Sequence, residues 1–327
     1  MGLFSILIPT RNRPSQLREA LRSVLSQTCG DIEIVVVDDG SDEEHVEEYG
    51  EIIQAANRPA QFHSLQRRLN GHGPGYARNF AASLTSGRYV CFLDDDDVWT
   101  DDDYLSRIQS AIGQRADAPD LIFSNQTAFF GNRRNEGPLW LEGLAARLER
   151  STRRPGEGGL YRVTVEDLLN ADGFCHLNTM IVRRGLFDAV GGMDETIRWE
   201  QDHDLYLRLI DRAETMLLSP AFVARHNIPD PAKAASSTTS LNEIQRRLYQ
   251  LRVFDKAALF AAHPAIQAHG RLYKGYTLKR ITQALAARKD YRSASFYARE
   301  ALGAAPTLKW ATYCIYLATA RLHSLLK

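Results

Sequence analysis

Residues 32–42, IEIVVVDDGSD, set an apolar, β-branched run directly against acidic and turn-forming residues. The run is too uniformly apolar for a strand with one wet face, which predicts a central strand buried on both faces of a sheet. The same kind of unit recurs through the first 125 residues. FSILIP is a short apolar run, and SQLREALRSVLSQT carries Leu17, Ala20, Leu21, Val24 and Leu25 at helical spacing. Pro14 suits the first helical turn and Gly30 the stop. EEHVEEYGEIIQAA reads as a helix, and a shorter run follows near FHSLQRR. GPGYARNFAASLTSG opens on Pro74, carries Ala77, Phe80, Ala81 and Leu84 on one face, and ends at Gly87. Strand YVCFLDDDD, helix DDYLSRIQSAI and strand LIFSN complete the series. Strand and helix in this order predict an α/β fold with a mostly parallel central sheet flanked by helices.

Ligands of such sheets bind beyond the carboxyl ends of the strands. Three polar clusters fall there: PTRN at 9–12, DDGSD at 38–42 and DDDD at 94–97. Four consecutive aspartates repel one another unless a shared cation or water relieves them. A solvated acidic turn needs no companions at neighbouring strand ends, so the convergence favours a metal or phosphate site.

The rest of the chain divides differently. Residues 126–175, with GNRRNEGP and STRRPGEGG, lose the pattern and suit an irregular insertion or mobile loops. Regularity returns in NTMIVRRGLFDAVGGMDE and in WEQDHDLYLRLIDRAE, where Leu205, Leu209 and Ile210 share a face with Tyr206 nearby, and Asp202 sits near the first turn. After the apolar TMLLSPAFVARHN, residues 229–240 have the composition of a flexible lid or linker. Residues 241–327 read as helices, two of them joined near Lys289 and Asp290 in a single tetratricopeptide-like hairpin. The last, WATYCIYLATARLHSLLK, is open between a packed helix, a dimer interface and an interfacial membrane helix. The expected domains are therefore 1–228 and 241–327.

Composition narrows the function. Lys plus Arg number 40 and Asp plus Glu number 40, so no global field favours nucleic acid. Cys29, Cys91, Cys175 and Cys314 are scattered without CxxC spacing, which suits free thiols in a reducing compartment and argues against zinc. No run approaches the roughly 20 apolar residues of a membrane-spanning helix. The N-terminus reads as a first strand rather than a signal peptide, which makes the cytoplasm the expected location.

Four ordered motifs, SILIPTRNRP, IEIVVVDDGSDEE, GYARNFAASLTSGRYVCFLDDDD and GGMDETIRWEQDHDLYLRL, together resemble the inverting glycosyltransferases of family 2, with the GT-A nucleotide-sugar fold. The resemblance spans residues 4–228. It implies a nucleoside diphosphate sugar donor, UDP- or dTDP-linked, a divalent cation, Mn2+ or Mg2+, and a glycan or lipid-linked acceptor. Bacterial surface polysaccharide synthesis, at the inner face of the plasma membrane, is the implied setting. A dianionic diphosphate must leave, and a hard cation held by carboxylates stabilises the charge on it.

By the same resemblance, Asp94 and Asp96 form a DxD pair, with Asp96 the direct metal ligand and Asp94 nearer the ribose. Asp95 and Asp97 leave that register open, since they too read as DxD. Pro9, Thr10 and Arg11 would line the nucleotide pocket, Asp39 would accept from the base, and Arg78 would support the nucleotide or diphosphate. The plainer readings are a surface cation for Arg11, a helix cap for Asp39 and a structural pairing with the aspartates for Arg78. Asp202 is the implied base, deprotonating the attacking hydroxyl. Many family members have Glu-Asp here, where this chain has Gln201-Asp202. Trp199 and Gln201 would face a donor or acceptor sugar, with a core position the alternative for Trp199. Asp204 would pair with Arg208. His226 would approach the metal or diphosphate, or serve structure. The competing classes are a nucleotidyltransferase or metal-dependent phosphohydrolase, and a degenerate nucleotide-binding module whose C-terminal helices bind protein.

Overall fold

In the computed structural model, which describes residues 2–137, 139–228 and 241–325, strand β1 (Phe4–Thr10) is buried along its whole length. Its apolar residues leave no side for water. Helix α1 (Pro14–Leu25) follows, with Pro14 in its first turn and Leu17, Ala20, Leu21 and Val24 buried on one face. The helix ends at Leu25 with Ser26 as its cap, four residues before the expected stop at Gly30. Strand β2 (Ile32–Asp38), helix α2 (Glu43–Gln54), strand β3 (Ala60–Ser64), helix α3 (Pro74–Ser83) and strand β4 (Tyr89–Phe92) come next. Strand β5 (Val98–Trp99), helix α4 (Tyr104–Gly113) and strand β6 (Leu121–Phe130) complete the first half.

β3, β2, β1 and β4 pair in parallel, as the βαβ pattern requires. Beyond β4 the sheet becomes mixed. Residues 126–175 are more ordered than their composition predicts. They hold the end of β6, strand β7 (Arg133–Arg134), helix α5 (Leu144–Arg150), strand β8 (Tyr161–Val163) and helix α6 (Val165–Leu169). Strand β9 (Met180–Arg183) then wedges antiparallel between β4 and β6. Helix α7 (Arg184–Ala189), helix α8 (Gln201–Arg212) and strand β10 (Met216–Asn227) close the unit, with β10 parallel to β6. The sheet order is β3-β2-β1-β4-β9-β6-β10-β5.

Because β9 is antiparallel to both its neighbours, β6 and β10 run in the same direction as β1 to β4. The carboxyl ends of β1, β2, β4 and β10 therefore share one edge. That edge brings Thr10, Asp39, the tetrad at 94–97 and His226 together from positions far apart in the chain. Packed against the sheet is a core that includes Ile6, Ile8, Leu17, Val24, Val36, Tyr49, Cys91 and Leu105.

The chain divides into two units, 1–228 and 229–327. In the second, helix α9 (Glu243–Phe260) starts at a capping box in which Asn242 and Gln245 satisfy each other's amides. Helices α10 (Pro264–Ala287), α11 (Tyr291–Ala304) and α12 (Leu308–Leu325) follow. Leu278, Ile281, Leu285, Ala294, Ala298, Ala301, Trp310 and Leu317 form its core, and Trp310 Nε1 donates to the Ala298 carbonyl at 2.9 Å. Trp310 and Leu317 pack inward on α12, while Ile315, Tyr316 and Leu322 stay exposed. No helix among the described residues is long and apolar enough to cross a membrane. The expected lid, 229–240, lies outside the described residues.

Candidate active site

The tetrad leaves the end of β4 as a tight turn in which the Asp97 amide donates to the Asp94 carbonyl at 3.1 Å. The four carboxylates are held by different sets of partners, with Arg13 shared between Asp95 and Asp96. Arg78, buried on α3, donates to Asp94 over a short ion pair, the pairing that the plainer sequence reading allowed. Asp95 accepts Thr10 Oγ1 at 2.8 Å and Arg13 Nη1 at 3.0 Å. The same Arg13 nitrogen lies 2.9 Å from Asp96 Oδ2. Asp97 is fully buried and accepts from the Asn178 side chain, the Asn227 amide and His226 Nδ1.

The charges differ accordingly. Burial on its own would raise Asp94, but Arg78 together with His176 and His226 outweighs it and holds the carboxyl below the usual range. Burial raises Asp95. Burial and the repulsion of Asp97 and Asp95 push Asp96 up to about 7. His226 moves the other way from what burial dictates, because the Asp97 carboxylate raises it to about 9. Burial, and then His226, lower His176.

Asp94, Asp96 and Asp97 offer carboxylate oxygens within 4.8 Å of one another, and Asp97, His176 and His226 form a second such group. The oxygens suit a hard divalent ion. The raised Asp96 fits the same conclusion: its ionised form lacks sufficient positive charge nearby, and a cation would supply it.

Beside the tetrad, the β1 and β2 ends clamp a loop. Asp39 is buried and does not cap α2. Its carboxylate accepts the His72 amide at 2.6 Å and the Gly73 amide at 2.9 Å. Arg11 Nη2 donates to the Arg68 and Leu69 carbonyls at 2.9 and 3.1 Å. Arg198 Nη1 reaches the Asn70 carbonyl at 2.8 Å from the other side. Gly71 sits at φ +62° with the place of its missing Cβ taken by Asp39 Oδ2, so a side chain there meets the clamp. Pro9 is buried one residue before Thr10 on β1.

Asp202 occupies the first turn of α8, three-quarters buried, with Oδ1 accepting the His203 amide at 2.9 Å. Its Oδ2 lies 4.0 Å from His176 Nε2. Glu200, just before the helix, adopts φ 63°, a left-handed conformation that redirects the chain into α8. Gln201 is buried with Oε1 against Gly75 at the start of α3. Trp199 is half-buried. Asp204 pairs with Arg208 at 2.7 Å, and Arg208 also donates to the Val190 and Gly192 carbonyls at 2.8 Å.

Sequence reasoning missed Arg13, His176, Asn178 and Trp140. Arg13 stood inside PTRNRP without a role. Asn178 links β4 to β9 by accepting the Asp94 amide at 3.1 Å while holding Asp97. Trp140, from the insertion, sets its ring edge-on to His226 at 5.5 Å between centroids.

Residues 5–184 match the family model of Glycosyl transferase family 2. A protein of Mycobacterium bovis (strain BCG / Pasteur 1173P2), the "PGL/p-HBAD biosynthesis glycosyltransferase", is 29% identical over 224 residues, 68% of this chain and 73% of the relative. Staphylococcus aureus TarS 1–349 in complex with UDP-GlcNAc shares the fold at a TM-score of 0.68 and 18% identity, over 98% of this chain and 88% of that one. Mannosyltransferase PcManGT from Pyrobaculum calidifontis, in complex with GDP-Man and Mn2+, gives a TM-score of 0.56 at 18% identity, over 99% of this chain and 87% of that one.

Proposed function

The chain belongs to glycosyl transferase family 2, and on that premise we propose that it moves a sugar from a nucleoside diphosphate donor to a hydroxyl of a glycan or lipid-linked acceptor, with inversion at the anomeric carbon. The carrying observation is that one sheet edge holds a carboxylate tetrad and, within reach through His176, a separate carboxylate on α8. Inversion by single displacement needs those two things: a place for the leaving diphosphate and a base for the entering hydroxyl. The nucleotidyltransferase, phosphohydrolase and non-catalytic readings fall away with the family.

In this reading Asp96 and His226 hold Mn2+ or Mg2+, which when bound stabilises charge on the departing diphosphate. Asp94, oriented by Arg78, faces the ribose side. Asp95 accepts a hydrogen bond from Thr10 and pairs with Arg13, and so supports the turn rather than the ion. The loop 68–73, clamped by Arg11, Asp39 and Arg198, forms the wall of the nucleotide pocket, and Asp39 keeps lone pairs free for the base. Asp202 takes the proton from the acceptor hydroxyl as its oxygen bonds the anomeric carbon, and the sugar–phosphate bond breaks with its electron pair going to the diphosphate. Trp199 flanks Asp202 on the sugar side, whereas Gln201 is buried against Gly75 and supports the start of α8 instead.

The names of the relatives support the donor class: UDP-GlcNAc and GDP-Man are bound in the two solved structures. Surface polysaccharide synthesis at the inner face of the plasma membrane is the setting this reading keeps from the family resemblance; the Mycobacterium relative is named for PGL/p-HBAD biosynthesis.

Incubation with a panel of UDP-, dTDP- and GDP-linked sugars and Mn2+ tests the proposal. Release of nucleoside diphosphate without monophosphate is expected. Monophosphate as the product would contradict it.

A further inference from the structure

His176 stands immediately before the short 3-10 turn Leu177–Thr179 and acts as its cap. Its Nδ1 accepts the Asn178 amide at 3.4 Å. A nitrogen that accepts carries no proton, so in the neutral ring the proton belongs to Nε2. Nε2 is the atom that lies 4.0 Å from Asp202 Oδ2. The side chain is 12% exposed and walled by Trp140 and His226, with ring centroids at 6.1 and 4.9 Å, so the ring has few alternative orientations.

Asp202 shows the complementary pattern. Oδ1 is taken by the His203 amide at 2.9 Å, while Oδ2 faces His176. The His203 ring is fixed in turn, stacked on Phe174 at 4.3 Å and 4° and placed 2.9 Å from Glu200 Oε2. A base needs a third group to orient it, and such contacts are commonly long before substrate arrives.

We infer that His176 is the positioning residue for Asp202, its Nε2–H directing the carboxylate toward the acceptor hydroxyl, an inference that rests on the reading of Asp202 as the base. The His203 amide already holds Oδ1, and closure of Nε2–H onto Oδ2 from 4.0 Å would fix the carboxyl plane while each oxygen keeps a lone pair for the incoming proton. The acceptor's proton passes to Asp202, and His176 keeps its own throughout. The alternative role for His176, a metal ligand beside Asp97 and His226, requires a free ring lone pair. In this arrangement the Asn178 amide occupies the one that Nδ1 offers, and Nε2 carries hydrogen.

The test reads nucleoside diphosphate release, with Mn2+, from whichever UDP-, dTDP- or GDP-linked sugar the wild-type protein consumes fastest. His176→Phe should lower kcat about 10- to 100-fold, part of the 10²–10⁴ that a general base supplies, with donor KM and Mn2+ affinity unchanged. His176→Gln, whose amide N–H stands in for Nε2–H, should recover most of that loss, and the shorter His176→Asn should not. If His176→Phe fails to bind donor, the Gln and Asn pair carries the comparison. In an Asp202→Asn background, His176→Phe should cost nothing further. Wild-type kcat in His176→Phe or in His176→Asn, a loss fully additive with that of Asp202→Asn, or weakened Mn2+ binding by His176→Gln each overturns the inference. Undiminished turnover in Asp202→Asn instead overturns the base reading beneath it.

Discussion

His226 Nδ1 lies 2.8 Å from Asp97 Oδ2, joining the end of the last strand to the last aspartate of the tetrad. The pair also carries a pH dependence. The His226 value rises from 6.5 to about 9 in the folded protein, so its contribution to stability is complete below about 6.5 and is lost as pH rises through about 9. In metal-free protein, thermal unfolding should show the wild type losing stability between pH 7 and 10, and His226→Gln should lose less over the same range. Parallel curves for the two proteins would contradict the pairing.

Metal binding should carry the opposite slope. Asp96, pushed up to about 7, and His226, at about 9, must both give up protons before a cation takes their places. Mn2+ should therefore raise the melting temperature more at pH 8 than at pH 6. A shift of equal size at both values would remove Asp96 and His226 from the site.

The strand-and-helix series to residue 125 was legible because buried strands and amphipathic helices leave different periods in the sequence. The tetrad was legible because repulsion at a strand end needs a reason. Contacts between distant segments were not. Arg13 meets Asp95 and Asp96 across more than 80 positions, and Asn178 meets Asp97 across a similar span. β9 left no sign of its antiparallel insertion, since an apolar run buried on both faces reads alike in either direction. Gln201 reads as a polar site residue, yet it is buried against Gly75, where the absence of a Cβ makes room for it.

Away from the site, Glu33 ties β2 to the turn before β4. Its carboxylate accepts Ser5 Oγ at 2.6 Å and the Ser86 amide at 2.7 Å, and Arg184 Nη2 donates to the same Ser5 at 2.9 Å. Burial works against ionisation, but these donors, the Gly87 amide and Arg184 outweigh it and lower the carboxyl from 4.5. The stabilisation is present above that value and is lost as pH falls through the lowered one. Glu33→Gln should cost about 1–2 kcal/mol at pH 7 by urea denaturation. The gap should close toward pH 3; a gap that stays constant would contradict this role.

Gly71 offers a test of the nucleotide-pocket loop. Gly71→Ala must hold a side chain at φ +62° and push against Asp39, at a cost of at least about 1–2 kcal/mol. Donor affinity should fall with little change in kcat, read from binding and turnover on the same samples. Unchanged affinity would detach the loop from the pocket.

Asp202 distinguishes this enzyme class, because the tetrad alone suits many phosphate-handling enzymes, whereas the second carboxylate is specific to displacement by a hydroxyl. The direct measurement is turnover and donor binding of Asp202→Asn beside the wild type. The expected result is full binding of the nucleoside diphosphate sugar with kcat reduced about 10²- to 10⁴-fold. Wild-type turnover in that variant would contradict the account.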